Sequence, residues 1–245
     1  GECMNSYLLE MQNITKRYPG VIALDNVHLS VLPGDVHCLV GENGAGKSTL
    51  MKVLAGAIPM DEGQIRIGGE EVHYDSPQMA ARLGISMIHQ EFNLVPHLSV
   101  AENIFLGNAP RHLGCIQWRL LYEKARAALQ RLNSDLAPSR SVGTLSVAQQ
   151  QVVEIAKALS TNARILIMDE PSAALTDHEL ATLFALVKSM SQQGVSIVYI
   201  SHRLEEIFSL GHHVTVMRDG KWIATHQVSE VDREDLIRMM VGREL

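Results

Sequence analysis

The segment Gly41-Glu42-Asn43-Gly44-Ala45-Gly46-Lys47-Ser48-Thr49 constrains this chain more than any other. It fits G-x-x-x-x-G-K-[ST], a pattern with structural meaning only between a strand and a helix. Both flanks comply. Val36-His37-Cys38-Leu39-Val40 before it reads as a buried strand, and Leu50 to Ala57 after it reads as a helix. Gly41, Gly44 and Gly46 permit turns that a side chain would block, so successive backbone N–H groups can face one anion. A helix beginning near Lys47 adds its positive N-terminal end. Lys47 would serve as a mobile cation for β- and γ-phosphates, and Ser48 would place its hydroxyl on Mg²⁺. The segment predicts a nucleoside triphosphate site and leaves the base, and whether hydrolysis occurs, open.

A second constellation points to the same chemistry. Ile165-Leu166-Ile167-Met168 is wholly apolar, as in a parallel strand buried on both faces, and ends in Asp169-Glu170. Asp169 at the strand end is placed to hold Mg²⁺. Glu170, one residue on, is the candidate general base for an attacking water. His202 follows the apolar run Val195 to Ile200 and Ser201, at the strand end where α/β sheets bind ligands. It can hydrogen-bond a γ-phosphate and orient the water. Gln90, after the short run Ile85 to His89, offers an amide oxygen to Mg²⁺ or water. His89, His97, His112, His178, His212 and His213 receive no role.

The remaining chain organises around these segments. Leu8 to Lys16 and Val27 to Val31 read as strands, Ile65-Arg66-Ile67-Gly68-Gly69 as a hairpin end, and Val214 to Met217 as a strand before the Asp219-Gly220 turn. Pro96 to about Pro138 reads as helical, most clearly over Leu120 to Leu132. Val147 to Leu159, Glu179 to Met190 and Asp232 to Met240 are further helices. The sum is an α/β core with a helical insertion near residues 91–160. With 46% apolar residues in 245, a substantial core is available. The net charge of −6 and the lack of Lys/Arg runs argue against a nucleic-acid partner. No stretch approaches about 18 consecutive apolar residues, so no membrane span is expected, and no signal peptide is visible. Cys3, Cys38 and Cys115 are odd in number and far apart, as expected of reduced thiols in a cytosolic protein.

Taken in order, the motifs resemble those of the ATP-binding-cassette (ABC) ATPases over nearly the whole chain. Tyr18 sits where that family stacks an aromatic on adenine. Gln90 matches the glutamine of the loop joining the two lobes. Leu145-Ser146-Val147-Ala148-Gln149 matches the signature sequence, Ser172 to Thr176 the D-loop, and His202 the switch histidine. The resemblance implies an α/β P-loop NTPase fold in one ATP-binding domain over residues 5–245. Its RecA-like parallel-sheet core and N-terminal antiparallel β subdomain would take about 5–90 and 161–245, and its inserted helical subdomain about 91–160. It implies ATP and Mg²⁺, with Ser48, Gln90 and Asp169 toward the metal, and Ser146 completing the ATP site of a partner cassette.

Closer still, the chain looks like the N-terminal cassette of tandem ATPases from bacterial monosaccharide importers. The pointers are His89 to Leu94, Gln149 to Lys157 and Pro171 to Thr176, and Met240 to Leu245 resembles a junction to a second cassette. This resemblance implies a fragment of a two-cassette protein lying peripherally on the cytoplasmic face of the membrane. Its partners would be a second cassette, transmembrane permease subunits and, indirectly, an external solute-binding protein. Two departures stand out: Val147 and Ala148 replace the usual signature glycines, and Thr176 stands where the D-loop has Asp. A soluble non-transport ABC protein and a nucleotide-binding module that hydrolyses little alone are the competing readings.

Overall fold

The computed structural model describes residues 7–89, 93–173 and 175–242. Strands β1 (Leu9–Tyr18) and β2 (Val21–Val31) form an antiparallel hairpin turning at Pro19-Gly20. β3 (Val36–Val40) runs into the glycine-rich loop and α1 (Lys47–Leu54). β4 (Glu62–Ile67) and β5 (Glu70–Val72) form a second hairpin, followed by α2 (Pro77–Arg82) and β6 (Ile85–Ile88). Next come α3 (Val100–Ile104), a short hairpin of β7 (Arg111–His112) and β8 (Cys115–Ile116), α4 (Trp118–Arg131) and α5 (Val147–Ser160). The chain continues through β9 (Ile165–Asp169), α6 (Asp177–Gln192), β10 (Ser196–Ile200) and α7 (Leu204–Leu210). It closes with β11 (His213–Arg218), β12 (Lys221–Gln227) and α8 (Arg233–Val241).

A six-stranded sheet in the order β12-β11-β3-β10-β9-β6 forms the centre. All its pairings are parallel except that of the edge strand β12. Strand alternation splits its side chains between two hydrophobic clusters. Cys38, Leu166, Met168, Ile197 and Tyr199 pack on one face with residues of α3 to α8. Leu39, Ile165, Ile167, Val198 and Ile200 pack on the other with Leu50, Met51 and Leu54 of α1 and with Leu9, Met11 and Leu29 of a four-stranded antiparallel sheet. Because both faces are covered, these strands read as continuous apolar runs rather than alternating ones. The expected parallel core, antiparallel N-terminal sheet and helical segment are all present. No described helix is long and apolar enough to cross a membrane.

The structure corrects several local expectations. β2 begins at Val21 rather than Val27, because its exposed first half is held by cross-strand pairing with β1 instead of by burial. β12 carries no fully buried residue and left no apolar pattern to read. The segment after Pro96 is not helical throughout: Leu113-Gly114, both at positive φ, turn the β7–β8 hairpin. α2 and α7, of 6 and 7 residues, are too short for a clear helical period.

Candidate functional site

The parallel strands bring their carboxyl ends to one edge of the sheet. Ile200 of β10 pairs with Asp169 of β9 and with Leu39 of β3, so the glycine-rich loop, Asp169-Glu170 and Ser201-His202 leave the sheet side by side. A cavity of about 490 Å³ opens there, lined by Val21 to Ala23, Asn43 to Thr49, Asp169, Glu170, Ile200, Asp219 and Gly220.

Backbone geometry accounts for the glycines. Gly46 caps α1 at φ 95°, and a Cβ there would meet Ala23 O at 2.8 Å and the Leu24 side chain at 2.9 Å. Gly44 has φ +86° but open space around it, so its requirement is conformational alone. The α1 N-terminus has no side-chain cap, which leaves its first N–H groups directed at whatever fills the cavity. Gly220 of the β11–β12 turn donates its N–H to Ala45 O at 3.2 Å and accepts from Asp25 N at 2.8 Å, tying the loop to the antiparallel sheet. In the sequence that turn was visible only as Asp-Gly punctuation, and nothing there marked it as part of the site.

Lys47 is buried, and its ammonium is held rather than mobile: Nζ donates to the carbonyls of Gly41 at 2.7 Å and Glu42 at 3.0 Å. A buried ammonium needs acceptors, and the loop supplies them. Burial lowers the Lys47 pKa, against the opposing pull of Glu170 and Asp169. Burial raises the Asp169 pKa, and the charge of Glu170 adds to it. Lone carboxylates in such a place are poorly compensated. Oxygen donors from Ser48 and Asp169 lining one cavity are the hard-ligand set that Mg²⁺ takes, and a divalent cation would relieve the repulsion.

Glu170 occupies the left-handed region at φ 46°, rare for a side chain of this size, and its N–H donates to Ile200 O at 3.0 Å. Its Oε1 lies 3.1 Å from His202 Nδ1. The residues beside His202 are firmly placed. Ser201 Oγ accepts from Arg203 N at 3.0 Å and donates to buried Glu206 at 2.8 Å. The His202 ring projects outward with 62% of its side chain exposed.

Other expected residues lie apart. Tyr18, 41% exposed, ends β1 against the Lys16 ammonium, 5.7 Å from its ring centroid. It is outside the cavity lining, although Val21 across the same hairpin is within it. Ser146 is exposed at the N-cap of α5, in a reciprocal capping box with Gln149 at 3.2 and 3.3 Å, and does not line the chain's own cavity. Thr176 caps α6 in the same way with Glu179. Gln90 lies outside the described residues.

Residues 24–173 match the family described as ABC transporter. The chain is 50% identical over 240 residues to the ribose import ATP-binding protein RbsA of Geobacillus kaustophilus, covering 97% of this chain and 49% of that protein. It is 49% identical to a putative ribose/galactose/methyl galactoside import ATP-binding protein of Agrobacterium fabrum, covering 98% and 47%. Among solved structures, the ADP conformation of MJ1267, an ATP-binding cassette of an ABC transporter, matches with a TM-score of 0.82 at 28% identity, covering 97% of this chain and 99% of that one. A nucleotide-free ATP-binding cassette from an ABC transporter matches with a TM-score of 0.80 at 29% identity, covering 97% and 96%. The chain thus spans about half the length of the curated relatives it matches, with a cassette fold throughout. From the motif match over most of its length and from these relatives, the chain belongs to the ABC transporter family.

Proposed function

We propose that this chain is an ATP-binding and ATP-hydrolysing cassette that drives a bacterial importer with a monosaccharide as cargo. The observation that carries the reading is one cavity lined by the loop, Lys47 and Ser48 and by Asp169 and Glu170, with His202 on Glu170. The sugar assignment draws on relatives named for ribose, galactose and methyl galactoside import.

In this reading the loop N–H groups and the α1 N-terminus bind the β- and γ-phosphates. Lys47 exchanges its two carbonyl partners for phosphate oxygens. Ser48, Asp169 and Gln90 hold Mg²⁺, which when bound neutralises charge on the phosphates. Glu170 takes a proton from water as the water oxygen attacks the γ-phosphorus and the bond to the β-phosphate oxygen breaks, giving ADP and phosphate. His202 orients the Glu170 carboxylate and the water. Tyr18 stacks on the base.

Ser146 serves in trans, completing the site of a second cassette arranged head to tail; its exposed place at the α5 N-cap, outside its own chain's cavity, is compatible with that role. The partner cassette's contacts to the γ-phosphate exist only when the cassettes close, so ATP shifts the equilibrium toward closure and its hydrolysis releases it. Permease subunits dock on the helical segment around α3, at the cytoplasmic face of the membrane, and an external solute-binding protein delivers the cargo to them.

ATP hydrolysis measured against chain concentration, with Glu170→Gln as control, tests this. A rate that rises faster than linearly and vanishes in the variant is expected. Wild-type turnover by Glu170→Gln would remove the assignment of the base. Mg·ATP binding without hydrolysis would favour a cassette that depends on its tandem partner.

A further inference from the structure

The opposite edge of the central sheet carries a second group of ligating side chains. The starts of β3 and β11 lie there, at the far end of the strands from the glycine-rich loop. His213 and His37 are paired across these strands, and their rings stack at 6.1 Å with 16° between planes. Both rings address Asp35, in the turn before β3. His213 Nδ1 lies 3.0 and 3.1 Å from the two Asp35 oxygens, and His37 Nδ1 lies 3.3 Å from Oδ2. One ligand atom from each of the three residues falls within 4.8 Å of the others. A tetrahedral centre with bonds of about 2.0–2.1 Å has ligand-to-ligand edges of about 3.3 Å. The His–Asp contacts already stand close to those edges.

The surroundings suit a ligand set. Asp35 is 4% exposed. His37 Nε2 contacts Thr215 Oγ1 at 2.7 Å, and Thr215 contacts Thr225 Oγ1 at 2.8 Å, which accepts from Trp222 Nε1 at 3.0 Å. If the Thr215 hydroxyl turns toward Thr225, it accepts from His37 Nε2–H and leaves Nδ1 a bare donor atom. This is the outer-shell hydrogen bond that metal-bound histidines carry. His212 Nδ1 accepts the Val36 N–H at 3.0 Å and therefore has no proton for Asp35 Oδ1, 3.4 Å away. A cavity of about 230 Å³, walled also by His28 and Trp222, borders the cluster and leaves room for a water.

We propose that Asp35, His37 and His213 form a binding site for one divalent first-row transition metal, with water in the fourth position, joining the starts of β3 and β11. Two imidazoles and one carboxylate suit Zn²⁺ and its neighbours rather than Mg²⁺ or Ca²⁺. The site is separate from the nucleotide cavity and independent of the function proposed for it.

The test is a calorimetric titration of the chain with Zn²⁺, after Cys3 and the exposed Cys115 are changed to Ser so that neither thiol competes. One equivalent of Zn²⁺ with a raised unfolding temperature is expected. His213→Ala, at a partly exposed ring, should bind Zn²⁺ about a hundredfold more weakly, and Thr215→Val about tenfold more weakly through loss of the outer hydrogen bond. Absence of saturable binding, or unchanged affinity in His213→Ala, overturns the site. If His213→Ala does not fold, Thr215→Val decides in the same way.

Discussion

His202 Nδ1 lies 3.1 Å from Glu170 Oε1, across the ends of the neighbouring parallel strands β10 and β9. The contact joins the two side chains beside the cavity at the carboxyl ends of the strands. If Glu170 is the base and His202 its orienting partner, they act as a unit. Glu170→Gln should lower turnover by about 10²–10⁴-fold while leaving Mg·ATP affinity nearly unchanged. His202→Ala should also lower turnover, and the double variant should fall no further than Glu170→Gln alone. Independent, multiplicative losses would separate the two roles. Steady-state ATPase rates beside calorimetric ATP affinities make the comparison.

Glu170 also bears a conformational cost. Its φ of 46° places a Cβ-bearing residue in the left-handed region, at about 1–2 kcal/mol. Neither Glu170→Ala nor Glu170→Gly can act as base, but only glycine relieves the backbone. Glycine's extra freedom in the unfolded chain offsets part of that relief. The glycine variant should therefore be more stable than the alanine variant by about 0.5–1 kcal/mol. Urea midpoints at equal m-values read this directly. An alanine variant as stable as the glycine one would mean that the backbone there carries no strain.

The glycine-rich loop offers a paired comparison. Gly44 and Gly46 both have positive φ, at 86° and 95°. A Cβ at Gly44 meets nothing within 4 Å, whereas at Gly46 it meets Ala23 O at 2.8 Å and Leu24 Cδ2 at 2.9 Å. Gly44→Ala should cost about 1 kcal/mol, from backbone strain alone. Gly46→Ala adds overpacking against backbone and should cost about 2–4 kcal/mol in total. Thermal or denaturant unfolding without nucleotide distinguishes them, and equal losses would contradict the packing argument.

What could be read from the sequence follows from how each feature is encoded. The glycine-rich loop, Asp169-Glu170 and His202 each sit at the end of a continuous apolar strand, so local pattern alone places them at one sheet edge. The Asp219-Gly220 turn enters the same cavity only through tertiary packing. Asp35 and His213 are 178 residues apart and meet because β11 pairs with β3, which no local pattern reveals. Motif order alone points to Tyr18 and Ser146, and neither lines the chain's own cavity. The sequence marks β12 and α7 only faintly, because an edge strand without buried residues and a helix of 7 residues leave weak periodicity.

Asp169 lends the site a pH signature. Burial first, and then the charge of Glu170, raise its pKa above that of an ordinary carboxylate. The folded chain thus holds this proton to higher pH than the unfolded chain does. Where the two states differ, the folded state binds more protons, so stability falls as pH rises from the unfolded pKa through the folded one. Above both values the penalty is complete, and well below them it is absent. Asp169→Asn removes the ionising group and should raise the unfolding midpoint at neutral pH, with the advantage shrinking as the pH is lowered through the carboxylate range. The same variant should bind Mg·ATP more weakly, because an amide does not replace an anionic ligand. Unfolding curves at a series of pH values, with and without Mg·ATP, test both halves. A stability gain that does not depend on pH would show that packing, and not the ionised carboxylate, sets the cost at this position.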